Sequence, residues 1–180
     1  MPRTHDDWRI DMRMKSVVYV IAVAACIYLA AAQTVDPAKK LGAFLGTWQT
    51  EGMRGTEKIT SKLECRWSPQ GLFLVCEQSI TTAAGDHRQL TIYSYNAKDN
   101  AYTYVTISDP GAKPTSGKVE IKGNIWTYAF SFENNGKTVQ IRTTNEFTDA
   151  RTNIYKSESS DDGGVTWKTV LKGAAHRVAD

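Results

Sequence analysis

The sequence has few of the residues from which metal sites and nucleophilic sites are built. Its 180 residues include three cysteines and three histidines, and no cysteine pair has a histidine at zinc-ligand spacing. It contains no glycine-rich phosphate-binding loop, and no serine or cysteine is placed to be activated by His87 and its neighbour Asp86. These absences predict a protein that is not an enzyme and that has no metal ion or cofactor.

A basic stripe is also missing. The formal net charge is +3, and the lysines are scattered among acidic residues, whereas nucleic-acid-binding domains concentrate positive charge on one face. Nucleic acid is therefore not expected as a partner, and the sequence points to no particular protein partner. A length of 180 residues with 41% hydrophobic content suits one domain with a substantial core.

Residues 16–32 are uncharged and largely apolar. Two basic residues precede this stretch and three alanines close it, which is the pattern of a secretory signal peptide. We predict a signal over 1–32, with Met14 as an alternative start, and export to the periplasm or the extracellular space. The apolar run of about 17 residues is close to the minimum for a membrane span. An uncleaved anchor is therefore one alternative, and lipidation of Cys26 is another.

Two cysteines follow the signal segment, Cys65 and Cys76. An even pair of cysteines in an exported protein predicts a disulfide. A turn at 68–71 would place the two residues opposite each other on antiparallel strands, at a separation that a disulfide can span. Two buried thiols are the alternative in a reducing compartment.

From residue 47 onward, apolar and polar residues alternate with the period of β-strands. In the segment 57–67, for example, Ile59, Leu63 and Cys65 share one face. Turn residues recur between these segments, and no long helical pattern interrupts them. The predicted strands are 47–52, 57–67, 72–80, 88–95, 101–108, 118–122, 125–132, 137–147, 151–158 and 165–171.

This series predicts an all-β fold, a single antiparallel up-and-down β-barrel of about ten strands preceded by the N-terminal signal or anchor helix. A ten-stranded barrel is wider than the eight-stranded size that side chains just fill, so an internal cavity is expected. We divide the chain into a linker at 33–43, a barrel at 44–172 and a polar tail at 173–180. The loop 109–117 is a candidate gate over one mouth of the barrel.

Gly46-x-Trp48, at the start of the first strand, resembles the first motif of the calycins, which include the lipocalins and fatty-acid-binding proteins. Across most of 41–172 the chain is similar to a group of uncharacterised bacterial secreted lipocalin-like domains, a family without an established activity. The resemblance implies a barrel in which Gly46 and Trp48 are structural. It also implies that Trp48 packs under a basic residue near the end of the last strand, for which Lys172 and Arg177 are the candidates.

Residues 160–167 match the Asp-box pattern Ser-x-Asp-x-Gly-x-Thr-Trp and resemble the hairpin turns of sialidase propellers. The carboxylate of Asp162 can accept backbone amides across such a turn, Gly164 allows a positive φ, and Trp167 can pack beneath. One copy does not make a propeller. We therefore predict that these three residues stabilise a turn.

Aromatic residues are more frequent on the predicted inner face than a minimal core requires. Tyrosine and tryptophan combine apolar area with one polar group, which suits a pocket that orients an amphipathic ligand. We predict that the barrel binds a small apolar or amphipathic molecule. The predicted ligand-binding residues are Trp67, Tyr93, Tyr104, Trp126, Tyr128 and Phe130.

Three alternatives are kept beside this prediction. One is a structural or interaction module of the cell envelope whose barrel is filled by its own side chains. Another is an enzyme that uses inward polar residues such as Thr143, Asn145 and Glu77. The last is a haem-binding barrel, since a histidine near the C-terminus, His176, resembles that of the nitrobindins.

Overall fold

The computed structural model describes residues 36–179, which form one short helix and ten strands. The predicted signal segment, 1–32, lies outside the described residues. A 3₁₀ helix, Pro37–Phe44, precedes the sheet and is called the lead helix below. The strands are β1 (Gly46–Arg54), β2 (Glu57–Trp67), β3 (Phe73–Thr82), β4 (Gly85–Asn96), β5 (Ala101–Ser108), β6 (Thr115–Lys122), β7 (Ile125–Asn134), β8 (Lys137–Phe147), β9 (Thr152–Ser160) and β10 (Lys168–Ala179).

Each strand pairs antiparallel with the next along the chain, and β10 pairs with β1 to close the sheet. The prediction of an all-β, up-and-down barrel of ten strands is confirmed. Within residues 36–179, no helix has the length and apolar character needed to cross a membrane.

Alternation along the strands places one set of side chains inside the barrel, as β2 illustrates. Ile59 and Cys65 are buried, while Lys58, Lys62 and Glu64 on the same strand are exposed. Cys65 lies directly opposite Cys76 on β3, and the two form the predicted disulfide. Because the side-chain period of a strand is two, the buried set of each strand fixes its register.

The turn between β7 and β8 shows how local sequence sets the register. Asn135 has φ of 50° and Gly136 has φ of 74°. Positive φ at both central residues defines the tight hairpin turn that Asn-Gly favours. The pairing that follows places Tyr128 opposite Thr143 and Phe130 opposite Ile141 on one face.

The predicted polar tail at 173–180 is wrong for the residues up to Ala179, because β10 continues to that residue. These residues pair with β1, so they close the barrel. Their composition hid the strand: Gly173 and Ala175 supply little apolar signal at inward positions, and His176 faces outward and is exposed. The strand predicted at 165–171 also begins three residues later than expected, at Lys168.

The lead helix covers one end of the barrel, which we call the closed end. Its Leu41 and Phe44 are 0% and 5% exposed. The ring of Phe44 makes edge contacts with Phe147 and Trp126, at centroid distances of 4.9 and 5.1 Å. The opposite end, where β1, β3, β5, β7 and β9 finish, is called the open end.

Trp48 fastens the lead helix to the barrel. Its indole Nε1 donates a hydrogen bond to the carbonyl oxygen of Phe44 at 2.9 Å. The guanidinium of Arg177 lies 4.9 Å from the Trp48 ring centroid, and its Nη2 donates to the Ala43 carbonyl at 2.9 Å. Of the two candidates for the basic residue over Trp48, the structure therefore selects Arg177, while Lys172 is exposed and pairs across from Met53.

Replacing Arg177 with methionine is expected to lower the free energy of unfolding by about 1–3 kcal/mol. The substitution removes both a charged hydrogen-bond donor and a cation–π contact, while it keeps most of the apolar stem. Urea denaturation measures the change. The matched control is Lys172→Met on the same strand, which is expected to change stability by less than about 0.5 kcal/mol. Equal stability of the two variants would contradict the role assigned to Arg177.

Candidate functional site

The barrel encloses a cavity of about 480 Å³. All ten strands contribute lining residues, and Phe44 and Trp48 form its floor at the closed end. Arg54, Ser108 and Thr115, at strand ends, line it at the open end. The cavity is therefore a single deep site whose mouth faces away from the lead helix.

Within residues 36–179, Arg54 is the one charged side chain that lines the cavity, and the lining contains no carboxylate and no imidazole. Thr143 and Asn145 do line it, as the enzyme alternative assumed. The assignment of Glu77 to the interior is wrong, because its Oε1 lies 2.7 Å from Arg66 Nη2 on the outer face. No acid or base of the carboxylate or imidazole type thus faces the interior.

Hydroxyl and amide groups cover much of the wall and bond to one another across strands. Thr143 Oγ1 and Ser157 Oγ are 2.7 Å apart, and Thr91 Oγ1 and Thr106 Oγ1 are 2.9 Å apart. Such cross-strand pairs stabilise adjacent strands. They also satisfy groups that would otherwise need water inside the barrel, so the wall is polar but internally paired.

Three tyrosines form a cluster in the cavity wall. The ring of Tyr128 lies 6.0 Å from Tyr93 and 5.7 Å from Tyr104. Burial raises the pKa of Tyr93 to about 12, although a hydrogen bond with Tyr128 opposes the shift. Burial likewise raises the pKa of Tyr128 well above its ordinary value and raises that of Tyr104. The three phenols are therefore neutral hydrogen-bonding groups at physiological pH.

Gly117 makes room for this cluster. It pairs with Tyr104 across β5 and β6, and Tyr104 Oη reaches over it to the Ala129 carbonyl at 3.4 Å. A Cβ atom at Gly117 would lie 2.7 Å from that carbonyl oxygen and 3.1 Å from the tyrosine ring. Glycine at this position lets a large ring lie flat against the wall without filling the cavity.

The structure brings four of the six predicted ligand-binding residues to the cavity: Tyr93, Tyr104, Tyr128 and Phe130. It does not bring the two tryptophans there. Trp126 is 2% exposed and packs against Phe44 and Phe147, and Trp67 lines an outer groove at the closed end. Trp126 is covered by the lead helix, because the Phe44 ring packs against it.

The sequence did not predict the cavity-lining residues of β9. Asn153, Tyr155 and Ser157 all line the cavity. Burial raises the pKa of Tyr155, with an opposing hydrogen bond from Thr50. The available signal was strand parity, since these three residues alternate with outward Ile154 and Lys156 in a segment that was correctly expected to be a strand.

The Asp box forms the turn between β9 and β10 at the open end. Asp162 Oδ1 accepts hydrogen bonds from Ser160 Oγ at 2.7 Å and from the Thr166 amide at 2.9 Å. Hydrogen bonds from Thr166, first from its side chain, lower the pKa of this carboxyl. Trp167 Nε1 donates to the Gly164 carbonyl at 2.9 Å, and Gly164 has φ of 89°. All of these contacts are internal to the turn.

The candidate gate, at residues 109–114 in the structure, joins β5 to β6 at the open end. Asp109 Oδ2 lies 2.9 Å from His87 Nδ1, and its Oδ1 accepts the Arg88 amide at 2.9 Å. These contacts, the Arg88 amide foremost, lower the pKa of Asp109. They fasten the beginning of the loop to β4.

The two histidines within residues 36–179 do not support the haem alternative. His176 is exposed and lies outside the cavity lining, so it offers no ligand to an iron inside the barrel. His87 lies outside the lining as well and pairs with Asp109. Among the residues that the structure describes, no group of three or more histidine, cysteine or acidic side chains is arranged to hold a metal ion.

No protein-family model matches the chain, and no curated protein is similar to it. Solved structures do resemble it. Three of them each match 79% of this chain. EF1p2_mFAP2b bound to DFHBI is 8% identical over 99% of its own chain, with a TM-score of 0.42, and the S-type phycobiliprotein lyase CPES from Guillardia theta is 10% identical over 91% of its chain, with a TM-score of 0.47. A DUF3598-family protein of unknown function from Nostoc punctiforme PCC 73102 is 8% identical over 99% of its chain, with a TM-score of 0.23. Likeness at this level assigns no function. The closed barrel, with Arg177 over Trp48, is calycin-like.

The tyrosine cluster is expected to lower the free energy of unfolding as the pH becomes alkaline. Because the pKa of Tyr93 is about 12 in the folded state and about 10 when unfolded, its contribution is complete below pH 10 and is lost as pH rises towards 12. We expect a loss of up to about 2–3 kcal/mol from this residue. In chemical denaturation across pH 9–12, the free energy of unfolding should therefore decline less steeply with pH for Tyr93→Phe than for the wild type. Parallel curves for the two proteins would contradict the assignment.

Proposed function

We propose that this protein is an exported barrel that binds a small amphipathic molecule in its interior. The observation that carries the proposal is the cavity of about 480 Å³, closed by the lead helix and open at the other end. Its volume falls within the range of small-molecule sites, roughly 300–1,000 Å³. An interior filled by its own side chains would leave no such space, so the volume counts against the filled-barrel alternative.

The chemistry of the lining supports an amphipathic rather than a purely apolar ligand. Aromatic rings at the floor offer an apolar surface, whereas Gln78 and Gln89 lie on the wall and Arg54 lies at the mouth. A wholly apolar molecule would desolvate these polar groups without replacing their contacts to water. A ligand with both polar and apolar parts matches the lining better.

Export is part of the same proposal. The disulfide between Cys65 and Cys76 is typical of a non-reducing compartment, and the segment 1–32 has the pattern of a secretory signal. With no ionisable acid–base pair of carboxylate or imidazole type in the cavity lining, we propose binding without catalysis.

Binding of 1-anilinonaphthalene-8-sulfonate, an amphipathic fluorescent probe, tests this function. We expect one probe to bind per barrel, with increased probe emission. Ile141→Trp places a large side chain in the cavity lining and should weaken binding about tenfold or more. The matched control is Ile154→Trp, whose native side chain is 52% exposed on the outer face of the next strand.

The control should bind as the wild type does. Equal probe affinity in all three proteins would place binding outside the barrel and contradict the proposed function. Melting temperatures of the variants confirm that each is folded before its affinity is compared.

A further inference from the structure

Arg54 places a positive charge at the mouth of a cavity whose lining has no acidic side chain within residues 36–179. It is the last residue of β1, and it continues the alternation that turns Trp48 and Thr50 of the same strand towards the interior. The side chain is exposed to solvent. A ligand can therefore reach the guanidinium from the mouth without any rearrangement of the barrel.

The guanidinium of Arg54 is not engaged by the protein. Within residues 36–179 it forms no ion pair and no hydrogen bond. Its register partner across the β1–β2 turn is Glu57, whose Oε1 accepts the Ala83 amide at 2.8 Å. By contrast, Arg66 and Arg142 lie 2.7 and 2.8 Å from glutamate oxygens. All five N–H donors of Arg54 thus remain available to a ligand.

The two ends of the cavity suit different parts of an amphipathic molecule. At the floor, the rings of Phe44 and Trp48 contact the interior, and no cationic side chain lines the cavity there. An anion placed at the floor would lose its water without gaining an opposite charge, which is strongly unfavourable. At the mouth the same anion keeps part of its hydration and meets Arg54. Charge therefore favours one orientation of a bound anion.

We propose that the ligand is an organic anion that enters with its apolar body first and leaves its acidic group at the mouth, where Arg54 binds it. The proposal rests on the proposed function, since it names the chemical class that the cavity takes. The planar guanidinium can donate two parallel hydrogen bonds to a carboxylate or a sulfonate. The apolar body then lies against the aromatic rings below.

The test uses two fluorescent probes that share one ring skeleton. 1-Anilinonaphthalene-8-sulfonate carries a sulfonate, whereas N-phenyl-1-naphthylamine is the same molecule without it. Arg54→Gln should weaken binding of the sulfonate probe about fivefold, as expected for an ion pair near the surface. It should leave the affinity for the neutral probe unchanged, because the apolar contacts remain.

Arg88→Gln is the matched control. Arg88 is also exposed and near the open end, but it lies outside the cavity lining and contributes to a groove on the outer face. This variant loses the same charge from the protein as Arg54→Gln does. It should bind both probes as the wild type does, so it separates a contact at the mouth from a general change in net charge.

The outcomes distinguish this proposal from the proposed function. The anion site is overturned if Arg54→Gln keeps the wild-type affinity for the sulfonate probe, if it weakens both probes equally, or if Arg88→Gln weakens the sulfonate probe as much. Cavity binding survives these results as long as Ile141→Trp still weakens either probe. If neither probe binds inside the wild-type barrel, both proposals are overturned.

Salt dependence gives a second measurement on the same proteins. Raising the sodium chloride concentration from about 50 to 500 mM screens an exposed ion pair. The affinity of the wild type for the sulfonate probe should fall over this range, and that of Arg54→Gln should change much less. An equal salt dependence in the two proteins would overturn the anion site.

Discussion

The contact between Trp48, the lead helix and Arg177 is the constraint on which the rest of the structure depends. The indole donates to the carbonyl of Phe44, and the guanidinium over its ring donates to Ala43. One side chain of β1 thereby joins the lead helix to β10, the strand that closes the barrel. Together with the packing of Phe44 against Phe147 and Trp126, this contact holds the helix across the end of a barrel too wide for side chains to fill.

Closure at one end decides the character of the interior. Phe44 and Trp48 give the cavity an aromatic floor, and the mouth at the other end carries Arg54. Between them the wall is polar but largely paired within itself, as the bond between Thr91 and Thr106 illustrates. The cavity therefore has an aromatic floor, a polar wall and a basic mouth.

Alternation in the sequence predicted the ten strands because each strand has one buried face and one solvated face. It failed after residue 172, because Gly173 and Ala175 supply no large apolar side chain at the inward positions. It also misplaced Glu77, since apolar residues occupy both faces of β3 and parity alone could not orient the strand. The position of Trp126 beneath Phe44 depends on how the lead helix packs on the closed barrel, which local patterns do not encode.

Native mass spectrometry can test whether this barrel carries a small molecule inside. The protein is purified from cells that naturally produce it and measured beside a denatured run of the same sample. We expect a mass excess over the polypeptide that disappears on denaturation. A native mass equal to that of the polypeptide alone would contradict binding inside the barrel.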